Sequence, residues 1–146
     1  MPTHIPGLRS PSETVNGLVY FGRMIDKIRL HADRQLPEDW ASALGNAYPN
    51  SFDARCCRFL QIEYDALVSE VLAGRSEEHL LQWAYTQGRQ PSEEEIEIWN
   101  AYMTKLGWRD AITERVKFRL QEASYPENAV ETMFEFIDLD EGRLEL

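Results

Sequence analysis

Cysteine and histidine are both scarce in this chain of 146 residues, with two and three copies against 25 Asp and Glu. Two adjacent cysteines, Cys56 and Cys57, do not make a disulfide framework. On a helix their side chains would point about 100° apart, so they do not converge on one metal. His4, His31 and His79 are scattered, and His31 reads as a helix-end histidine rather than a ligand. Neither a metal nor a cofactor is expected. GxSxG, HExxH, Walker A and GxGxxG patterns are absent. A calcium loop beginning at Asp138 fails, because Gly142 falls at position five where position six is required.

Long apolar runs are missing as well. Nothing approaches 18 apolar residues in a row, and MPTHIPGLRSP lacks the apolar core of a signal peptide. Neither membrane insertion nor export is expected, which leaves the cytoplasm as the default. Positive charge is in short supply, with 15 Lys and Arg and a net charge of −10. That balance argues against nucleic acid or an anionic membrane as the main partner. No stretch alternates like a strand between hairpin turns, and no repeat or linker divides the chain. The expectation is an all-α, compact single-domain bundle over residues 1–146. About seven helices surround a central apolar helix at residues 11–32, with an extended arm at 1–9 and an acidic tail at 138–146.

What is present is helical patterning. Ser10-Pro11-Ser12-Glu13 has the form of a helix start, with Ser10 as cap, Pro11 at the first position and Glu13 as the capping-box partner. Leu18, Phe21, Met24, Ile25, Ile28 and Ala32 share one arc, and Val15, Val19 and Leu30 occupy the other side, so this helix should be packed on several faces. Gly17 and Gly22 each cost about 1 kcal/mol in a helix interior, which makes sense where another backbone comes close. Further helices are expected at 38–44 around Trp40, from Asp53 as cap to Leu60, and over 63–72 with Ala66, Leu67 and Val71 inward. Others follow after Ser76, from Ser92 to Leu106, over 109–123, and over 128–137. Ser92 and Glu95 form the clearest capping box. The triple glutamate at 93–95 is a solvated first turn that complements the helix dipole.

Charges inside the apolar pattern supply the candidate site. Arg23, Asp26 and Arg29 are spaced so that Asp26 can touch both arginines, which reads first as an internal ion-pair network. The sharper reading leaves one arginine free for a carboxylate or phosphate. If Arg9 and the Arg23–Asp26 side face Arg55 and Arg58, positive charge converges in one cleft, walled by Tyr20 or Trp108 beside Arg109. Cys56 and Cys57 lie between Arg55 and Arg58, two cations able to lower a thiol pKa. Buried, inert cysteines are the simpler expectation.

The segments LRSPSETVNGLVYFGRMIDKIRLHA (8–32), FDARCCRFL (52–60), PSEEEIEIWNAYMTKLGWRD (91–110) and ETMFEFIDLDEGR (131–143) together resemble a bacterial family called domain of unknown function 5069. The resemblance implies a small standalone bacterial protein and transfers no catalytic residue. From the residues themselves, the leading expectation is a noncatalytic association or scaffold protein, acting as a homodimer or with another cytoplasmic protein. The alternative is a binding protein or enzyme for a small anionic molecule.

Overall fold

The structure, a computed structural model, describes residues 3–146; Met1 and Pro2 of the expected arm lie outside the described residues. The chain is mostly helical. A hairpin of β1 (Thr14–Val15) and β2 (Leu18–Val19) leads into α1 (Phe21–Ala32). Two short 3-10 helices follow, Glu38–Ala43 and Gly45–Ala47. Then come α2 (Phe52–Leu60), α3 (Tyr64–Leu72), α4 (Glu77–Gln87), α5 (Glu93–Lys105), α6 (Thr113–Glu122) and α7 (Met133–Asp140).

The fold is therefore not strictly all-α, and the helix expected over 11–32 begins only at Phe21. Asn16-Gly17 is the reason. Asn16 and Gly17 both take left-handed φ, 47° and 85°, as a two-residue hairpin turn requires. The strands pair antiparallel, Thr14 with Val19 and Val15 with Leu18. Ser10 and Glu13 do interact as the capping pattern suggests, the Ser10 amide donating to Glu13 Oε2 at 3.1 Å, but a turn follows instead of a helix. The hairpin is fastened to α5. Asn100 accepts from the Val19 amide and donates to the Gly17 carbonyl, and Trp99 Nε1 donates to the Val19 carbonyl. These bonds satisfy backbone groups that a two-stranded ribbon leaves open.

α1 is buried almost all round, as its apolar circumference predicts, with Phe21, Met24 and Ile25 fully inside. The main core gathers α1, the hairpin and the inward faces of α2 to α5. α6 and α7 enclose a second cluster around Val116, Leu120, Met133 and Phe136. Gly22 admits a close neighbour as expected, but the neighbour is the Arg9 guanidinium: a Cβ there would lie 2.8 Å from Arg9 Cζ. Gly17 faces open space, so its turn alone demands glycine.

Ser76 and Ser92 cap α4 and α5, and Ser92 with Glu95 completes its capping box. Other boundaries move for identifiable reasons. Ser51, not Asp53, caps α2, accepting from the Ala54 amide. In α3 Leu67 and Val71 are inward, but Ala66 is exposed. Residues 38–43 tighten into a 3-10 helix with no buried residue, and Trp40 is half-buried. α6 starts at Thr113, not Arg109, because the Asp110 carboxylate binds the Gly107 and Ile112 amides and holds a loop. α7 starts after Thr132, whose capping box with Glu135 displaces the helix expected at 128–137. The expected acidic tail is largely structured: Asp138 to Asp140 belong to α7 and Glu141 is buried. Among the described residues no helix is long and apolar enough to cross a membrane.

Candidate functional site

Burying α1 on all sides forces its charges to find partners, because an unpaired buried charge is very costly. Arg23 donates both terminal nitrogens to Glu141, at 2.8 and 2.6 Å. Burial works against the charged guanidinium, yet the Glu141 bonds outweigh it and hold its pKa up. Asp26 takes Arg9 in a two-point pair, Nε at 2.8 Å and Nη2 at 3.0 Å, and Arg9 also meets Glu77. The expected Arg23–Asp26–Arg29 network is thus corrected. Each residue pairs with a different segment, and Arg29 donates to the Arg75 carbonyl.

A third set was not anticipated. Asp53 is fully buried and accepts from Tyr20 Oη at 2.6 Å, Lys27 Nζ at 2.9 Å and the Gly45 amide at 2.8 Å. Burial lowers the Lys27 pKa, with Asp53 opposing it in part. Burial, then the Asp53 charge, pushes Tyr20 well up. Lys27 also donates to the Ala43 carbonyl at 2.8 Å, so the cluster is roofed by the 3-10 segment. The readable signal was a lysine inside an apolar helix and an aspartate between Phe52 and Ala54. Neither says which would meet the other.

Cys56 and Cys57 are free and buried. Burial drives Cys56 well above the ordinary thiol value, and burial with Asp53 and Glu63 pushes Cys57 up to about 12. Arg58 pulls Cys57 the other way without prevailing. Proximity in sequence to two arginines did not translate into an activated thiolate, since desolvation dominates. Among the described residues no group of three or more His, Cys, Asp or Glu is placed to hold a metal.

An open groove of about 380 Å³ lies between α2 and α5, lined by Arg55, Arg58, Phe59, Ile98, Trp99 and Tyr102. Its floor is the stacked pair Phe59–Trp99, with centroids 4.6 Å apart and planes 16° from parallel. Arg55 donates to Tyr102 Oη at 2.8 Å and to the Asn50 carbonyl at 3.1 Å. Arg58 donates to the Pro49 carbonyl at 2.7 Å. Both guanidiniums are therefore oriented by oxygens that carry no charge. Ile98 and Tyr102 are 61% and 48% exposed. A sequence signal existed for them: with Ile96, Trp99 and Met103 turned inward, Ile98 and Tyr102 fall four residues apart off that stripe.

A second hollow of about 210 Å³ is lined by Trp108, Arg109, Lys117, Val130, Glu127 and Glu131 among others. Arg109 lies 4.9 Å from the centre of the Trp108 ring, and its own φ is left-handed, at 54°. The eight residues expected in one cleft thus separate into three places. Arg9, Tyr20, Arg23 and Asp26 belong to the buried charge clusters, Arg55 and Arg58 to the groove, and Trp108 and Arg109 to the second hollow. Intervening apolar packing, above all Phe52 against Tyr20 and Phe134, fills the space that convergence would need.

A family model described as Domain of unknown function (DUF5069) matches residues 5–143, nearly the whole chain. The chain belongs to that family. No curated protein matches it significantly.

Proposed function

We propose that this member of the DUF5069 family is a noncatalytic association protein of the bacterial cytoplasm, and that it docks another protein in the α2–α5 groove. One observation carries the reading. Ile98 and Tyr102 are exposed side by side on α5, above an aromatic floor and beside two oriented arginines. Single exposed apolar residues are ordinary, but an apolar pair adjoining a concave aromatic surface is the composition of a contact site. The interior carboxylates Asp26, Asp53 and Glu141 are already occupied by Arg9, Lys27 and Arg23, which supports a structural role for those charges.

The test compares wild type with Ile98→Glu in pull-downs from the source organism, alongside light scattering of both. The expected result is a protein retained by wild type and released by the variant at unchanged melting temperature. A strict monomer that retains nothing counts against the proposal. A homodimer through the same face is the variant of this reading that light scattering checks.

A second reading is favoured by size and charge: a groove of about 380 Å³ with two guanidiniums suits a small carboxylate or phosphate compound. A thermal-shift screen tests it. A ligand at 100 times its Kd adds about 2.7 kcal/mol, and Arg58→Ala should abolish the shift.

A further inference from the structure

We infer that the occupant of the α2–α5 groove is a short acidic segment of a different protein, with carboxylates on Arg55 and Arg58 and a large apolar side chain against Ile98. The inference rests on the association reading and adds the chemistry of the partner. It starts from a contrast within the molecule. Six of the twelve arginines, Arg9, Arg23, Arg75, Arg89, Arg119 and Arg143, are each paired with a carboxylate of the chain itself. In a chain with 25 acids and 15 lysines and arginines, acid is not in short supply. Yet among the described residues Arg55 and Arg58 meet only the Asn50 and Pro49 carbonyls and the Tyr102 hydroxyl, and no acid lines their groove.

These bonds leave donors over. A guanidinium has five N–H groups in a fixed fork; Arg55 uses two in these bonds and Arg58 one. Three residues apart on α2, the two side chains lie on one helix face. The oriented forks suit carboxylates that bind two-point, and holding them in advance reduces the ordering cost on binding. Beside them, Ile98 offers exposed apolar area, whereas Trp99 is buried and the Arg89 guanidinium covers the Phe59 ring, 4.8 Å from its centre. The match is a segment with acids flanking a large apolar side chain.

Other occupants fit less well. A twofold contact between copies through this face would set the patch against itself, arginine towards arginine. Nucleic acid needs phosphate contacts along its length, and a chain of net charge −10 repels it beyond these two cations. The same repulsion limits a protein partner to a short acidic stretch.

The experiment is fluorescence anisotropy on the full chain with a dye-labelled ten-residue probe, Gly-Ser-Glu-Glu-Trp-Glu-Glu-Ser-Gly-Ser. Controls replace every Glu with Lys, every Glu with Gln, or Trp with Ser. Saturable binding of the acidic probe is expected, weakened about tenfold by Arg58→Gln or Arg55→Gln and by the Gln probe. Arg58→Gln alters an exposed side chain, so its melting temperature should match wild type. Equal binding of the Lys probe, or indifference to both arginine variants, overturns the inference. A dimer abolished by Ile98→Glu overturns it in favour of a second copy. Stabilisation by inorganic phosphate or indole-3-acetate without probe binding overturns it in favour of a small anion. A cellular partner released by Ile98→Glu but unaffected by Arg58→Gln removes the acidic segment while leaving the association reading standing.

Discussion

Arg23 and Glu141, 118 positions apart in sequence, close a two-point ion pair in which both side chains are 5% exposed. The pair ties α1 to the chain just after α7. Arg143 reinforces the junction, bonding Glu141, Asp138 and the Leu8 carbonyl. What begins as an acidic end of the sequence is thereby drawn into the interior.

Breaking this pair from one side strands a buried charge. Glu141→Leu or Arg23→Met alone should cost about 3–5 kcal/mol. The double variant should recover a large part of that loss, because no charge is then left unpaired. Urea unfolding of the three variants checks this. Strict additivity of the two single losses would show that the pair is not coupled.

Stability should fall above pH 9. Cys56 and Cys57 keep their protons in the fold far beyond the value of 9.0 at which they ionise when unfolded. The native state then binds more protons, so its stability is full below pH 9 and declines as pH rises towards about 12. Each thiol contributes a slope of about 1.4 kcal/mol per pH unit. Tyr20 adds to the decline above pH 10, whereas Lys27, lowered from 10.5, opposes it. Denaturation midpoints of wild type and a Cys56→Ala, Cys57→Ala variant at pH 8 and pH 10 test this; a flat wild-type profile would refute it. Iodoacetamide at pH 8 should leave both thiols unlabelled until denaturant is added.

The segment 38–47 should open independently of the core. Its first 3-10 helix buries no residue, and it is held by Lys27 to the Ala43 carbonyl, the Gly45 amide to Asp53, the Ser51 hydroxyl to the Gly45 carbonyl and the packing of half-buried Trp40. Few buried apolar contacts mean low local stability. Hydrogen exchange should be fast across residues 38–44 and slow in α1 and α5, and Lys27→Met should speed the former further. Protection of 38–44 equal to that of α1 would contradict the expectation.

Gly17→Ala should destabilise by about 1–2 kcal/mol through backbone strain alone, since φ is 85° and no atom crowds the added methyl. Thermal melts of this variant, beside Gly17→Asn as a residue that tolerates left-handed φ, measure it. Equal losses for both substitutions would count against the turn as the cause.

Local chemistry was legible wherever it decides structure within a few residues. Ser92 with Glu95 and Ser76 before its helix were readable as caps because a cap is satisfied by its own next turn. Asn16-Gly17 was equally local and was overridden by a helical apolar pattern that the hairpin happens to share: Val15, Leu18 and Val19 are apolar and buried in the hairpin, so they read as inward positions of a helix too. Thr132 with Glu135 was obscured in the same way, by an apolar run that suggested an earlier start.

The sequence by itself determined that the chain is mostly helical, that the helix ending at Ala32 is wrapped on nearly all sides, and that its family is the one its four segments resemble. The first two follow from periodicity, capping and composition, all set by neighbours along the chain; the family follows from the resemblance of those segments. The tertiary structure alone decided which charge meets which. Asp26 reaches Arg9, Asp53 reaches Lys27 and Glu141 reaches Arg23, across separations of 17, 26 and 118 residues. A charge selects its partner by distance in the folded state, and with 25 acids and 15 lysines and arginines the sequence admits many pairings. Only packing showed that Arg55 and Arg58 are held by neutral oxygens at an aromatic groove.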